Sequence, residues 1–169
     1  MSFEIKNGDL LSSECDYICH QVNCMGKMNS GIAKQIREKW PIVFQNYMAK
    51  CNFNHSSGYI RPEELLGDIQ FVPLYEDYHK DIKRQQVINM FSQYGYGYDG
   101  LRYTSYDAFW TCLKAIKKNI PKGVKIGFPY HIGCDRGGAN WRIIETMIRE
   151  VLEDEYIVEI WKLEEINEK

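Results

Sequence analysis

The chain has 169 residues, 44% hydrophobic and 26% charged, with a formal net charge of −2. That length suits one domain with a full core and is short for two, and the balance excludes a disordered chain. No lysine–arginine block stands out, which excludes an extensive nucleic-acid surface while leaving room for a small anion held by backbone amides.

Six cysteines, at 15, 19, 24, 51, 112 and 134, are scattered along the chain. The amino-terminal "MSFEIKNGDLL" lacks the basic and then apolar segments of a secretory signal. Free thiols without a signal predict a cytoplasmic protein. No apolar run approaches the ~18 residues of a membrane span, so no membrane partner is expected.

In chain order, "SFEIKNGDLL" begins as a strand and turns at Asn7-Gly8-Asp9, and "DYICHQV" is a second strand. From Ser30, Ile32, Ile36 and Trp40 fall four apart on one helix face. Pro41 suits the first turn of a second helix, "PIVFQNYMAKC". Asn52 to Gly67 read as a surface connection. "DIQFVPLYED" and "QQVINMFSQ" follow as strands, with Tyr78 to Arg84 as the turn between them.

A glycine–tyrosine loop, "QYGYGYDGLRYT", comes next. It leads to a helix capped by Ser105, with Phe109, Leu113 and Ile116 on its apolar face. "KGVKIGFP" is an apolar strand, "NWRIIETMIREVLED" a helix and "YIVEIWKL" a final strand, leaving residues 164–169 as a solvated tail. The alternation predicts an α/β sheet with helices on both faces, in one domain spanning 1–169. Ligands bind such sheets where strands hand over to helices.

Two loops occupy that place, "NCMGKMNSGIA" and "IGCDRGGANW". In the first, Gly26 and Gly31 permit close backbone approach, and Asn23 and Asn29 suit sugar hydroxyls. A helix starting near Ser30 would turn free amides and a positive dipole end toward a ligand. In the second, Gly133, Gly137 and Gly138 favour a concave run of amides able to hold phosphate. Glycines and asparagines doing only conformational work in strand-to-helix turns would read the same way. Neither loop carries a P-loop signature, and no G-x-G-x-x-G follows the first strand.

"CDYICHQVNC" brings Cys15, Cys19, His20 and Cys24 close in sequence, but a strand points Cys19 and His20 to opposite faces. Buried core thiols fit better than a metal site. Cys134 is the one thiol placed in a loop where it could react, with His131 three residues earlier as the nearest base. Among Tyr94, Tyr96, Tyr98 and Tyr103, one or two could stack on a base or cover a ribose, and Arg102 could reach a phosphate.

"NGDLL", "QVNCMGKMNSGIAKQI" and "FPYHIGCDRGGANW", in that order and over nearly the whole chain, resemble the macrodomain family. The likeness is greatest to the branch of ADP-ribose-1''-phosphatases and ADP-ribosyl glycohydrolases. It implies a three-layer α/β/α fold around a mixed sheet of about six strands, with ADP-ribose or an ADP-ribosylated substrate as partner and no cofactor or metal.

It also implies that Asp9 accepts from the adenine amino group beside Leu10. Gln21, Asn23 and the segment Met28, Asn29 and Ser30 would wrap the distal ribose, with Gly31 and Ile32 near the diphosphate. Gly133, Cys134, Asp135, Arg136, Gly137, Gly138 and Ala139 match the second phosphate loop. Asn140 falls where several relatives have an aspartate, ahead of their helix-opening tryptophan, here Trp141.

Two departures bear on chemistry. Relatives acting on ADP-ribosyl-glutamate use a lysine on the strand that here reads Asn89, Met90, Phe91, Ser92, leaving Lys27 of the first loop as a stand-in. They also carry an acidic residue where Gly137 stands, while Asp135 lies two positions earlier. The expectation is a hydrolase acting at the distal ribose, with Asp135 orienting water and Asn23 and Asn29 holding the sugar. His20 and His131 are secondary acid–base candidates. The alternatives are an ADP-ribose-binding module without turnover and a Rossmann-like nucleotide enzyme of another family.

Overall fold

Six strands form one sheet in the order β1-β6-β5-β2-β4-β3. They are β1 (Ser2–Asn7), β2 (Tyr17–Asn23), β3 (Ile69–Pro73), β4 (Gln86–Gln93), β5 (Lys125–Pro129) and β6 (Ile157–Lys162). Only β3 runs antiparallel to its neighbour, so the sheet is mixed, as expected. The computed structural model describes residues 1–56, 61–74 and 85–163.

Among the described residues, four α-helices cover the sheet. Among them α1 (Gly31–Lys39) and α2 (Pro41–Ser56) pack one face through Ile36, Val43 and Tyr47, onto Ile18, Val22, Val87 and Phe91. On the other face α3 (Tyr106–Asn119) and α4 (Trp141–Leu152) bring Phe109, Leu113, Ile144 and Ile148 against Cys19, Ile88 and Met90. The alternating sides of β2 and β4 follow from the two-residue period of a strand. Covered on both faces, the two strands bury their apolar residues on either side and with them the polar His20, Asn89 and Ser92.

The helix starts follow local chemistry. The Ser105 hydroxyl accepts from the Ala108 amide at 3.1 Å, and the Asn140 side-chain oxygen accepts from the Arg142 amide at 2.9 Å. After β1, the Asp9 carboxylate accepts from the Leu11 amide at 3.0 Å. That bond winds Leu10–Ser12 into a 3-10 turn which buries Leu10 and Leu11.

The stretch from Asn52 to Gly67 is not a simple surface connection. With no glycine or proline after Cys51 to stop it, α2 continues to Ser56, and Pro62–Leu65 form a 3-10 turn with Leu65 buried. The strand expected over "DIQFVPLYED" ends at Pro73 as β3. The turn at Tyr78 to Arg84 and the tail at 164–169 lie outside the described residues. No helix among the described residues is long and apolar enough to cross a membrane.

Candidate active site

The parallel strands β1, β6, β5, β2 and β4 all end on one edge of the sheet, so their outgoing loops gather there. Together they enclose a crevice of about 930 Å³, within the roughly 300–1,000 Å³ of small-molecule sites. Sheet order sets the layout. Gly8, Asp9 and Leu10 after β1, with Trp161 and Lys162 at the end of β6, wall one side. The loops after β5 and β2 line the centre, and Gln93, Tyr96 and Tyr98 after β4 wall the other side.

In the first loop the Asn23 side chain is fully engaged. Its oxygen accepts from the Met25 amide at 2.9 Å and the Tyr47 hydroxyl at 2.8 Å, and its amide donates to the Lys27 carbonyl at 2.9 Å. Tyr47 is completely buried, and its hydroxyl also accepts from the Gly26 and Lys27 amides. These bonds fix the loop so that it delivers the chain to α1. There Ser30 makes no side-chain cap, and Gly31 takes a φ of 56°. Among the described residues the amides from Met28 to Ala33 have no hydrogen-bond acceptor, which leaves an open helix amino terminus on the crevice wall.

The second loop is held by its carbonyls. Gly133 O accepts from the Thr104 hydroxyl at 2.8 Å and the Ala139 amide at 3.0 Å. Gly137 O accepts from the Tyr103 and Thr104 amides at 2.8 and 3.0 Å. The amides of Asp135, Arg136, Gly137 and Gly138 donate to nothing among the described residues. Consecutive unpaired amides beside a crevice are what an anion-binding concavity offers.

Before this loop, His131 has a φ of 60°, the only non-glycine residue with positive φ among those described. Such a conformation costs on the order of 1 kcal/mol and clusters at functional sites. Its ring stacks on Tyr130 at 3.9 Å and lies 5.6 Å from Trp141. Across the crevice mouth, the Arg136 guanidinium sits 4.1 Å over the Tyr98 ring and donates to its hydroxyl, joining the second loop to the tyrosine loop.

No protein-family model matches the chain. Over 45 residues it is 38% identical to DNA ADP-ribosyl glycohydrolases of Mycobacterium bovis and Mycobacterium tuberculosis, a stretch covering 27% of this chain and 13% of theirs. Solved structures match along almost all of it. A protein of unknown function from Bacteroides thetaiotaomicron shares 26% identity at a TM-score of 0.75, covering 96% of this chain and 99% of that one. The macrodomain of Thermus aquaticus DarG superposes at 0.69 with 22% identity, over 96% and 97% of the two chains. The chain has the macrodomain fold. Thermosipho africanus DarTG, solved in complex with ADP-ribose, also matches, at 0.73 and 17% identity over 95% of this chain and 41% of that one.

The macrodomain crevice gathers many of the residues singled out in the sequence. Asp9, Leu10, Gln21, Asn23, Asn29, Ser30, Gly31, Ile32, Gly133, Asp135, Arg136 and Gly137 all line it. Met28, Cys134, Gly138, Ala139 and Asn140 do not. Met28 is buried in the core under α1 and α2, and Asn140 is occupied in capping α4. Asn29 is exposed and accepts from Arg37 at 3.2 Å. Asp135 is exposed, with no hydrogen bond or ion pair engaging its carboxylate among the described residues. Arg102 lies 4.4 Å over the Tyr106 ring.

Two candidate groups are unsuited to reaction at neutral pH. Burial, reinforced by the Asp135 carboxylate, pushes the Cys134 thiol up to about 11. His20 is fully buried on the α1/α2 face, away from the crevice lining. Burial lowers it to about 4, with its hydrogen bond to Asn89 working the other way. Cys19 faces the opposite core, and no cluster of metal-ligating side chains occurs among the described residues.

The structure explains the glycine at position 137. A Cβ there would lie 2.3 Å from the Thr104 hydroxyl oxygen and 2.4 Å from the Gly133 carbonyl. The loop therefore has no room for a side chain at this position, and Asp135 is its only carboxylate.

Sequence reading missed Gln93, Thr104, Tyr130, Trp161 and Lys162. Gln93 had a signal: it is polar and stands at the end of a strand, where such sheets bind ligands. Trp161 is held by the buried Glu159, whose carboxylate accepts from the indole N–H at 3.2 Å.

Proposed function

We propose that the crevice binds ADP-ribose and that the protein hydrolyses a bond at the distal ribose of an ADP-ribose derivative. The observation that carries this reading is the pair of unpaired amide runs lining one crevice. One opens α1 and the other runs from Asp135 to Gly137. Two such runs suit the two phosphates of a diphosphate. In this reading the ribose and base lie on either side of it. The loop between β1 and the 3-10 turn, with Trp161, offers an aromatic and carboxylate wall for adenine, and the β2 and β4 loops surround the distal ribose.

In this reading the amides stabilise charge developing in the transition state, and the Asp135 carboxylate orients or deprotonates water. The open bond is a phosphomonoester, as in ADP-ribose-1''-phosphate, or the link to an ADP-ribosylated protein or nucleic acid. The short match to the mycobacterial DNA ADP-ribosyl glycohydrolases supports a hydrolase.

The test is to incubate the protein with ADP-ribose-1''-phosphate, ADP-ribosylated protein and ADP-ribosylated DNA while following product. Turnover of at least one, lost in Asp135→Ala with ADP-ribose binding kept, is the expected result. A second reading, an ADP-ribose-binding module, is favoured by the exposed Asp135 carboxylate, which no side chain among the described residues holds in place. Binding without turnover of all three would select it.

A further inference from the structure

We propose that Thr104, backed by Gln21, is the positioning residue that sets the second glycine loop for a diphosphate. This rests on the ADP-ribose reading above. Thr104 is nearly buried and outside the crevice lining, yet it holds both ends of the loop. Its hydroxyl donates to Gly133 O at 2.8 Å, and its amide donates to Gly137 O at 3.0 Å.

The direction of the hydroxyl is not free. Gln21 Nε2 donates to Thr104 Oγ1 at 2.8 Å, so the threonine proton is left for Gly133. The Gln21 amide is itself oriented. Its oxygen accepts from the buried Ser92 hydroxyl at 2.7 Å, and its nitrogen also donates to Gln93 Oε1 at 2.9 Å. A directed relay thus runs from Ser92 on β4 through Gln21 on β2 to Thr104 and on to Gly133.

Each peptide plane carries its carbonyl and the next amide on opposite sides. Anchoring Gly133 O and Gly137 O on Thr104 therefore fixes the planes that bracket the unpaired amides. With the loop held before ligand arrives, binding does not have to order it. Gln21, which the family resemblance offers as a ligand contact, serves in this relay.

The experiment compares Thr104→Val, which keeps shape but removes the hydroxyl, with Thr104→Ser, which restores it. ADP-ribose and adenosine are titrated against each, with thermal unfolding measured in parallel. Thr104→Val is expected to weaken ADP-ribose about tenfold, the worth of one hydrogen bond between buried groups. Adenosine binding is expected to change little, and Thr104→Ser to recover wild-type affinity for ADP-ribose.

A general loss of fold would lower both ligands together, so the ratio of the two affinities isolates the loop. Equal ADP-ribose affinity in wild type and Thr104→Val overturns this inference alone, as does a parallel loss for both ligands. No ADP-ribose binding by the wild type overturns the functional reading and this inference with it.

Discussion

Replacing Gly137 by alanine probes how tightly the second loop is built. The backbone at 137 is not in the left-handed region, so alanine meets no conformational barrier and the effect is steric. The new methyl would start 2.3 Å from Thr104 Oγ1 and 2.4 Å from Gly133 O. Forcing it in is overpacking, at about 1–3 kcal/mol. Swinging the loop aside instead gives up the bonds on Gly137 O from the Tyr103 and Thr104 amides, worth about 1 kcal/mol each. Either route destabilises by roughly 1–3 kcal/mol, which lowers the melting temperature by on the order of 3–10 °C for a chain of this size.

Thermal unfolding measures the first effect and calorimetric ADP-ribose titration the second, which is expected to be a loss of affinity. Thr104→Ala removes only the hydroxyl contact, so the double variant stays destabilised against Thr104→Ala, because the Gly133 carbonyl still blocks the methyl. A Gly137→Ala protein as stable as wild type and binding ADP-ribose as well would refute the reasoning.

Acid should destabilise the protein through His20. Its ring shares a hydrogen bond with Asn89 Oδ1, while the Asn89 amide donates to Gln70 Oε1 at 3.0 Å; His20 Nε2 is therefore the donor, and Nδ1 is buried without a partner among the described residues. The folded value of about 4 lies below the ordinary ~6.5 of the unfolded chain. The neutral ring's contribution is thus complete above pH ~6.5 and lost as pH falls toward about 4, a total of about 3 kcal/mol. Urea unfolding at pH 7 and pH 4.5 should show a smaller pH effect in His20→Gln than in wild type; equal pH dependence contradicts this. Tyr98→Ala removes the ring under Arg136 and its hydroxyl acceptor. It should leave stability within about 0.5 kcal/mol, since Tyr98 is 79% exposed. ADP-ribose should dissociate faster from it in stopped-flow measurements, and an unchanged rate would show that the arch does not cover the ligand.

Much of the fold was legible because its signals are local. Alternating apolar blocks mark the strands, Ser105 and Asn140 mark helix starts, and the two glycine loops sit where strands pass to helices. Their placement on one crevice follows from adjacent parallel strands, β5 and β2. What escaped was tertiary. Asn23 looks like a sugar ligand, but Tyr47, twenty-four residues on, draws its side chain into shaping the loop. Thr104 precedes a helix cap with nothing local to suggest that it anchors a loop twenty-nine residues later. Gly137 looks like a lost acid until Thr104, thirty-three residues earlier, shows that no side chain fits. In each case the deciding partner is far away in sequence, and spacing carries no trace of it.

The most direct test of the account is a calorimetric titration of the protein with ADP-ribose. Saturable one-to-one binding that weakens in Gly137→Ala is the predicted result. No binding of ADP-ribose by folded wild-type protein would contradict the assignment of the crevice.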